Sequence, residues 1–166
     1  MINEPSLPEL DSDDLLPGPY LEIRFGPGWN YVSTVRSFLH EFLLVTFKDQ
    51  KKSDRISMAL SELLENAVKY STGNHAYIRI QIAENQGDVR VEVMNHSNEI
   101  LAAELEEVLQ RINAMEPLEA YMMMMQESGA QSSGSRLGLA RIRYEARGEL
   151  SSQFVDGRVL MKAYFC

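Results

Sequence analysis

Hydrophobic and polar positions change their period several times along the chain, and each change marks an expected element. Tyr20 to Phe25 alternates apolar and polar side chains as a short strand does, and Gly26-Pro27-Gly28 breaks the run. Val32, Val35, Phe38, Leu39, Phe42, Leu43 and Thr46 or Phe47 then recur at three- and four-residue steps, the stripe of an amphipathic helix. A second helix is expected from a Ser53 cap, with Asp54 placed well against the helix dipole, to about Ser71. Its apolar stripe is Ile56, Ala59, Leu60, Leu63, Leu64 and Ala67. After Thr72-Gly73-Asn74 the segments 75–84 and 88–95 alternate around Asn85-Gln86-Gly87, the pattern of an antiparallel hairpin.

Residues 101–114 form a further helical segment that Pro117 limits, and 116–136 passes from four methionines into Gly/Ser/Gln composition, which predicts a mobile loop. A short helix over LGLARIRYEAR follows with Gly148 as its C-cap, then a hairpin of strands 149–155 and 158–165 turning at Asp156-Gly157. Strand, helix, helix, two strands, helix, loop, helix, two strands is an α+β order, with a mixed or antiparallel sheet and helices on one face. Residues 1–19 hold four prolines and five acidic side chains and read as a flexible arm ahead of a domain over 20–166.

At 166 residues, 45% hydrophobic and 24% charged, the chain has the balance of one globular domain. No apolar run is long enough to span a membrane, and the acidic N-terminus lacks a signal-peptide pattern, so a cytoplasmic protein is expected. A net charge of −8 disfavours a nucleic-acid partner. Cys166 is the only cysteine, and His40, His75 and His96 lie far apart, so neither a disulfide nor a structural zinc site is expected.

Chemistry gathers on the second helix. Glu62, Asn66 and Lys69 stand at steps of four and three, on one stripe beside the apolar face. A carboxylate, an amide and an ammonium in that arrangement suit a polarised water, a Mg²⁺ bound through oxygen, and a phosphate. A solvated helix flank explains the same spacing, so spacing alone does not decide.

The surrounding words do more. SELLENAVKYS, residues 61–71, resembles the N-box of the GHKL (Bergerat-fold) ATP-binding domains, and GSRLGLARIRYEARGEL, residues 134–150, resembles their second glycine box. The resemblance covers about residues 20–165 and implies a two-layer α/β sandwich that binds ATP and Mg²⁺. It implies Glu62 as general base or water-orienting carboxylate, Asn66 as Mg²⁺ ligand, and Lys69 near the phosphates. Gly134, Leu137 and Gly138 match the second box, and Arg136 stands where the family usually has glycine. Glycines there admit phosphate oxygens to backbone N–H groups at a helix N-terminus.

The first glycine box is altered. Its equivalent, VEVMNHSNEI, carries Asn95 in place of the adenine-binding aspartate, and Ser97 and Glu99 in place of two glycines. The Asn95 amide oxygen still accepts a hydrogen bond, without the charge assistance of a carboxylate. Weakened affinity is expected, and Asn95→Asp with glycines at 97 and 99 is expected to raise it. Met122 to Met125 read as core or lid packing, with an adaptable contact surface for a partner as the alternative.

With no dimerisation and phosphoacceptor domain ahead of the resemblance, the expected likeness is to the freestanding anti-sigma-factor serine kinases of bacterial signal transduction. These phosphorylate a STAS-domain antagonist and also hold sigma-type factors. The expected protein is thus a Mg-ATP-dependent serine/threonine kinase with such a partner, and a homodimer by resemblance. The competing reading is a nucleotide-free interaction module on the same fold.

Overall fold

In the computed structural model the described residues are 18–26, 28–84, 87–130 and 135–166. Among them the order is β1 (Tyr20–Phe25), α1 (Trp29–Phe47), α2 (Gln50–Lys69), β2 (Ala76–Ile82), β3 (Val89–His96), α3 (Glu99–Asn113), α4 (Pro117–Ala130), α5 (Ser135–Glu145), β4 (Glu149–Val155) and β5 (Arg158–Phe165). The strands form one five-stranded sheet in the order β1-β2-β3-β5-β4, antiparallel at every pairing. This is the α+β architecture expected from the pattern, and the sheet is antiparallel rather than mixed.

Strand alternation builds the core. Register aligns Ile78 with Val93 and Met161, Ile80 with Val91 and Ala163, and Ile82 with Val89 and Phe165, so that apolar rows cross three strands on one face. All nine side chains are buried in the core that also takes Ile56, Leu60, Leu63 and Leu64 of α2. A Leu or Ile so buried contributes roughly 1.5–3 kcal/mol. The next row along is Ala76, Asn95 and Val159, which brings a polar side chain to the end of an apolar face. On the opposite face Arg79 stands between its cross-strand neighbours Glu22 and Glu92 and forms ion pairs with both.

α2 packs on β3, α1 lies against α2, and α5 touches α2, α3 and α4. Sequence expectations shift at four places. α2 starts four residues earlier than a Ser53 cap requires: the Asp49 carboxylate accepts from Lys52 N–H at 3.1 Å, while Ser53 is buried inside the helix and donates to the Asp49 carbonyl. Asp54 serves α1 as well, accepting from His40 Nε2 at 2.8 Å.

The expected loop 116–136 is helical from Pro117 to Ala130. Proline at the first position removes no helical hydrogen bond, so it opens α4 instead of only closing α3. The methionines divide as a helix demands, with Met124 fully buried, Met123 packed on the core, and Met122 and Met125 exposed. At the end of α5 the left-handed residue is Arg147 (φ 55), not Gly148. Gly148 is required instead by packing, since a Cβ there would lie 2.7 Å from Phe165 Cε1 and 2.9 Å from Ile142 Cγ2. The arm over 1–19 falls outside the described residues except for Gly18 and Pro19; Pro19 already accepts from Ile82 N–H at the edge of the sheet.

Candidate nucleotide site

The Glu62, Asn66, Lys69 stripe runs along the C-terminal half of α2. Lys69 is exposed in the last turn, where a cation complements the helix dipole, and its ammonium sits 5.4 Å from the Tyr70 ring centroid. Asn66 is only 7% exposed, and its Nδ2 has no hydrogen-bond partner among the described residues. An unsatisfied buried amide donor costs about 1–3 kcal/mol, so this atom is open to a polar ligand or a water.

The C-terminal end of α2 is tied to the end of β3. Asn95 Nδ2 donates to the carbonyls of Tyr70 at 3.2 Å and His96 at 3.1 Å, and Thr72 N–H donates to the His96 carbonyl at 2.9 Å. Two carbonyl partners fix which end of the Asn95 amide is nitrogen and leave Oδ1 as its acceptor. A nucleobase amino group needs an acceptor, and Oδ1 is one. Ser97, 7% exposed, donates its N–H to the Gly157 carbonyl, and its Oγ is a second buried polar atom without a described partner. Both unpartnered atoms, together with the acceptor on Asn95, belong to segments that the Asn95 hydrogen bonds hold together. The donor set therefore fits a nucleotide.

Glu99 lies elsewhere. It is the first residue of α3, behind an Asn98 cap that accepts from Leu101 N–H, and it lines a groove with Ala102, Glu106, Ser152, Phe154 and Val159. Its negative charge complements the α3 dipole, which gives this departure from a glycine a structural cause.

The second glycine box is also arranged differently from the sequence expectation. α5 begins at Ser135, so Arg136 and Leu137 occupy its first turn and Gly138 and Leu139 stand within the helix; Gly134 lies outside the described residues. Leu137 packs on the core and Arg136 is half-buried. Gly138 admits Glu62: a Cβ on it would overlap the carboxylate, standing 2.9 Å from Glu62 Cδ. Glu62 Oε1 meets Arg141 Nη1 at 3.4 Å, a contact that the sequence offered no spacing rule to find. Burial pushes the Glu62 carboxyl above the usual carboxylate range, with Glu65 adding to the rise and Arg141 opposing it.

Among the described residues no group of three or more His, Cys, Asp or Glu side chains could hold a metal ion. Mg²⁺ commonly keeps waters and substrate phosphates as ligands, so one protein oxygen from Asn66 fits its habits, whereas a cage of protein ligands is not offered.

Residues 51–153, more than half of the chain, match the family described as histidine kinase-, DNA gyrase B- and HSP90-like ATPases, and the chain belongs to that family. Solved structures agree on the fold. A chain of the SiaB–SiaC complex from Pseudomonas aeruginosa superposes with a TM-score of 0.65 at 18% identity, over 87% of this chain and 88% of that one. A structure of RsbU and RsbW domains from Mycobacterium tuberculosis superposes with a TM-score of 0.55 at 18% identity, over 90% of this chain and 32% of that one. This chain therefore spans about a third of the latter. No curated protein matches the chain at a significant level. No described helix is long and apolar enough to cross a membrane.

Two consequences are measurable. Asn95→Asp replaces a donor held by two carbonyls with an acceptor facing them, so it should destabilise the fold by about 1–3 kcal/mol; a urea midpoint equal to that of wild type would show that those bonds do no structural work. Because the Glu62 carboxyl is raised, the folded state favours its protonated form, and stability is lost as pH rises through the raised value. Glu62→Gln removes that loss. The variant should melt above wild type at pH 8 and lose its advantage towards pH 4; an advantage unchanged with pH would contradict the raised carboxyl.

Proposed function

We propose that this protein is a Mg-ATP-binding regulatory kinase of the anti-sigma-factor type, acting on a serine or threonine of a STAS-domain or sigma-linked protein partner in the bacterial cytoplasm. The observation that carries the nucleotide reading is the buried Asn66 side chain, whose Nδ2 has no partner among the described residues, one turn after Glu62 on α2. Asn95 Oδ1 serves as acceptor for the base, Asn66 Oδ1 as the protein's oxygen towards Mg²⁺, and Lys69 as a charge near the phosphates. A bound Mg²⁺ would offset charge on the transferring phosphoryl group. Glu62 takes the proton of the acceptor hydroxyl, a task that a carboxyl raised by burial performs better than an ordinary one. The first turn of α5, with Arg136, supplies N–H groups that have no acceptor within the helix itself, and positive charge, on the phosphate side.

Support for a protein partner comes from the likeness to a chain of the SiaB–SiaC complex and to the RsbU and RsbW domains. Pairing of two subunits is a further part of the proposal. A second reading, the nucleotide-free interaction module, draws on two observations: Glu62 is engaged by Arg141 and Gly138, and the first box carries Ser97 and Glu99.

Calorimetric titration with Mg-ATP separates the two. Saturable, Mg-dependent binding is expected, and Asn66→Ala should weaken it at least about tenfold, or 1.4 kcal/mol, in a variant that still melts in one cooperative transition. Absence of heat with wild-type protein at high ATP would leave the interaction module as the function.

A further inference from the structure

α5 is held from several sides. Arg143 Nη1 donates to the carbonyls of Ile112 and Met115 at the end of α3, the latter at 3.1 Å. Tyr144 stacks on Tyr121 of α4 with ring centroids 5.3 Å apart. Past its last turn, Gly148 N–H donates back to the Ile142 carbonyl at 3.1 Å, with no room for a side chain between Ile142 and Phe165. The helix therefore presents one fixed face to α2.

On that face Gly138, Arg141 and Glu145 follow at steps of three and four. Gly138 lies against the carboxylate of Glu62, on the side of Oε2. Arg141 reaches the other oxygen, Oε1, with Nη1 at 3.4 Å, while its Nε donates to Glu145 Oε1 at 3.0 Å. One α5 face thus meets both oxygens of a single α2 carboxylate, with a bare backbone on one and a cation on the other. The guanidinium is itself steadied by a second carboxylate, and its planar fork of donors allows both contacts at once.

We propose that Arg141 is the positioning residue of the Glu62 carboxylate, a role that rests on the reading of Glu62 as the base of phosphoryl transfer: it holds the carboxylate in one orientation against Gly138 and places a positive charge beside it. The charged and titratable groups around the pair are Glu65 on α2, Glu145 on α5 and Tyr121 on α4. Burial and Glu65 both favour protonated Glu62, and Arg141 is the group that opposes them. Loss of Arg141 therefore leaves the base protonated over a wider pH range. Loss of Glu145 does the reverse, because it removes a like charge and frees the guanidinium for Glu62.

The test follows the Glu62 side-chain carboxyl by ¹³C NMR across pH, alongside the pH profile of ATP turnover, in full-length wild type, Arg141→Met, Arg141→Lys and Glu145→Gln. In Arg141→Met the Glu62 midpoint should move to higher pH and the acid limb of turnover should move with it. Arg141→Lys should restore part of both shifts. Glu145→Gln should move the midpoint the opposite way, and it keeps the test open if Arg141→Met fails to fold. A Glu62 midpoint that stays put in Arg141→Met, or a lysine variant no better than methionine, overturns the positioning role. A midpoint that moves as expected in a protein whose wild type binds no Mg-ATP supports the Arg141 contact and overturns the reading of Glu62 as a base.

Discussion

The burial of α2 between the sheet and α1 sets where Glu62, Asn66 and Lys69 can stand. Ile56, Leu60, Leu63 and Leu64 are within 1% of complete burial, so the helix cannot turn about its axis without bringing several of them to water. With the apolar stripe fixed, the polar stripe beside it is fixed too. Asn66 is carried to a buried position by its neighbours' packing rather than by any bond of its own side-chain nitrogen.

The altered first glycine box takes a different meaning once its surroundings are known. An aspartate at 95 would bring carboxylate oxygens to the carbonyls of Tyr70 and His96, whereas asparagine donates to both. The amide is thus matched to the way α2 and β3 are joined in this chain, and its remaining oxygen keeps the acceptor character that base recognition needs. Glu99 is similarly matched to the start of α3. The second box departs as well: Gly138 stands within a helix, and the close neighbour it admits is a carboxylate from α2.

Much of the fold was legible along the chain because period-two and period-3.6 patterns follow directly from how strands and helices expose alternate faces. The five strands, α1, α2 and the Asp156-Gly157 turn all appear near their expected places, with Asp156 and Gly157 both at positive φ. α4 was not legible, since four successive methionines carry no periodicity and Pro117 reads equally as a stop or a first residue. The cap at Asp49 was hidden behind Ser53, a plausible cap whose hydroxyl in fact bonds back within the helix. Among candidate site residues, Glu62, Asn66 and Lys69 were singled out by helical spacing together with the resemblance of residues 61–71 to the N-box. Arg141 was not, because it reaches Glu62 from 79 positions away and only the packing of α5 on α2 brings the two together. The two carbonyls that hold Asn95 are backbone groups, which a sequence pattern does not display.

The central claim is that the buried Asn66 amide exists to meet a nucleotide and its metal. Its side-chain NH₂ resonance in a ¹H–¹⁵N spectrum reports on that directly, with Asn113, which donates to the Leu150 carbonyl, as internal control. On addition of Mg-ATP the Asn66 signal should shift saturably while the Asn113 signal stays in place. A saturable ATP complex in which Asn66 does not move, or a spectrum unchanged throughout at millimolar ATP, would contradict the account.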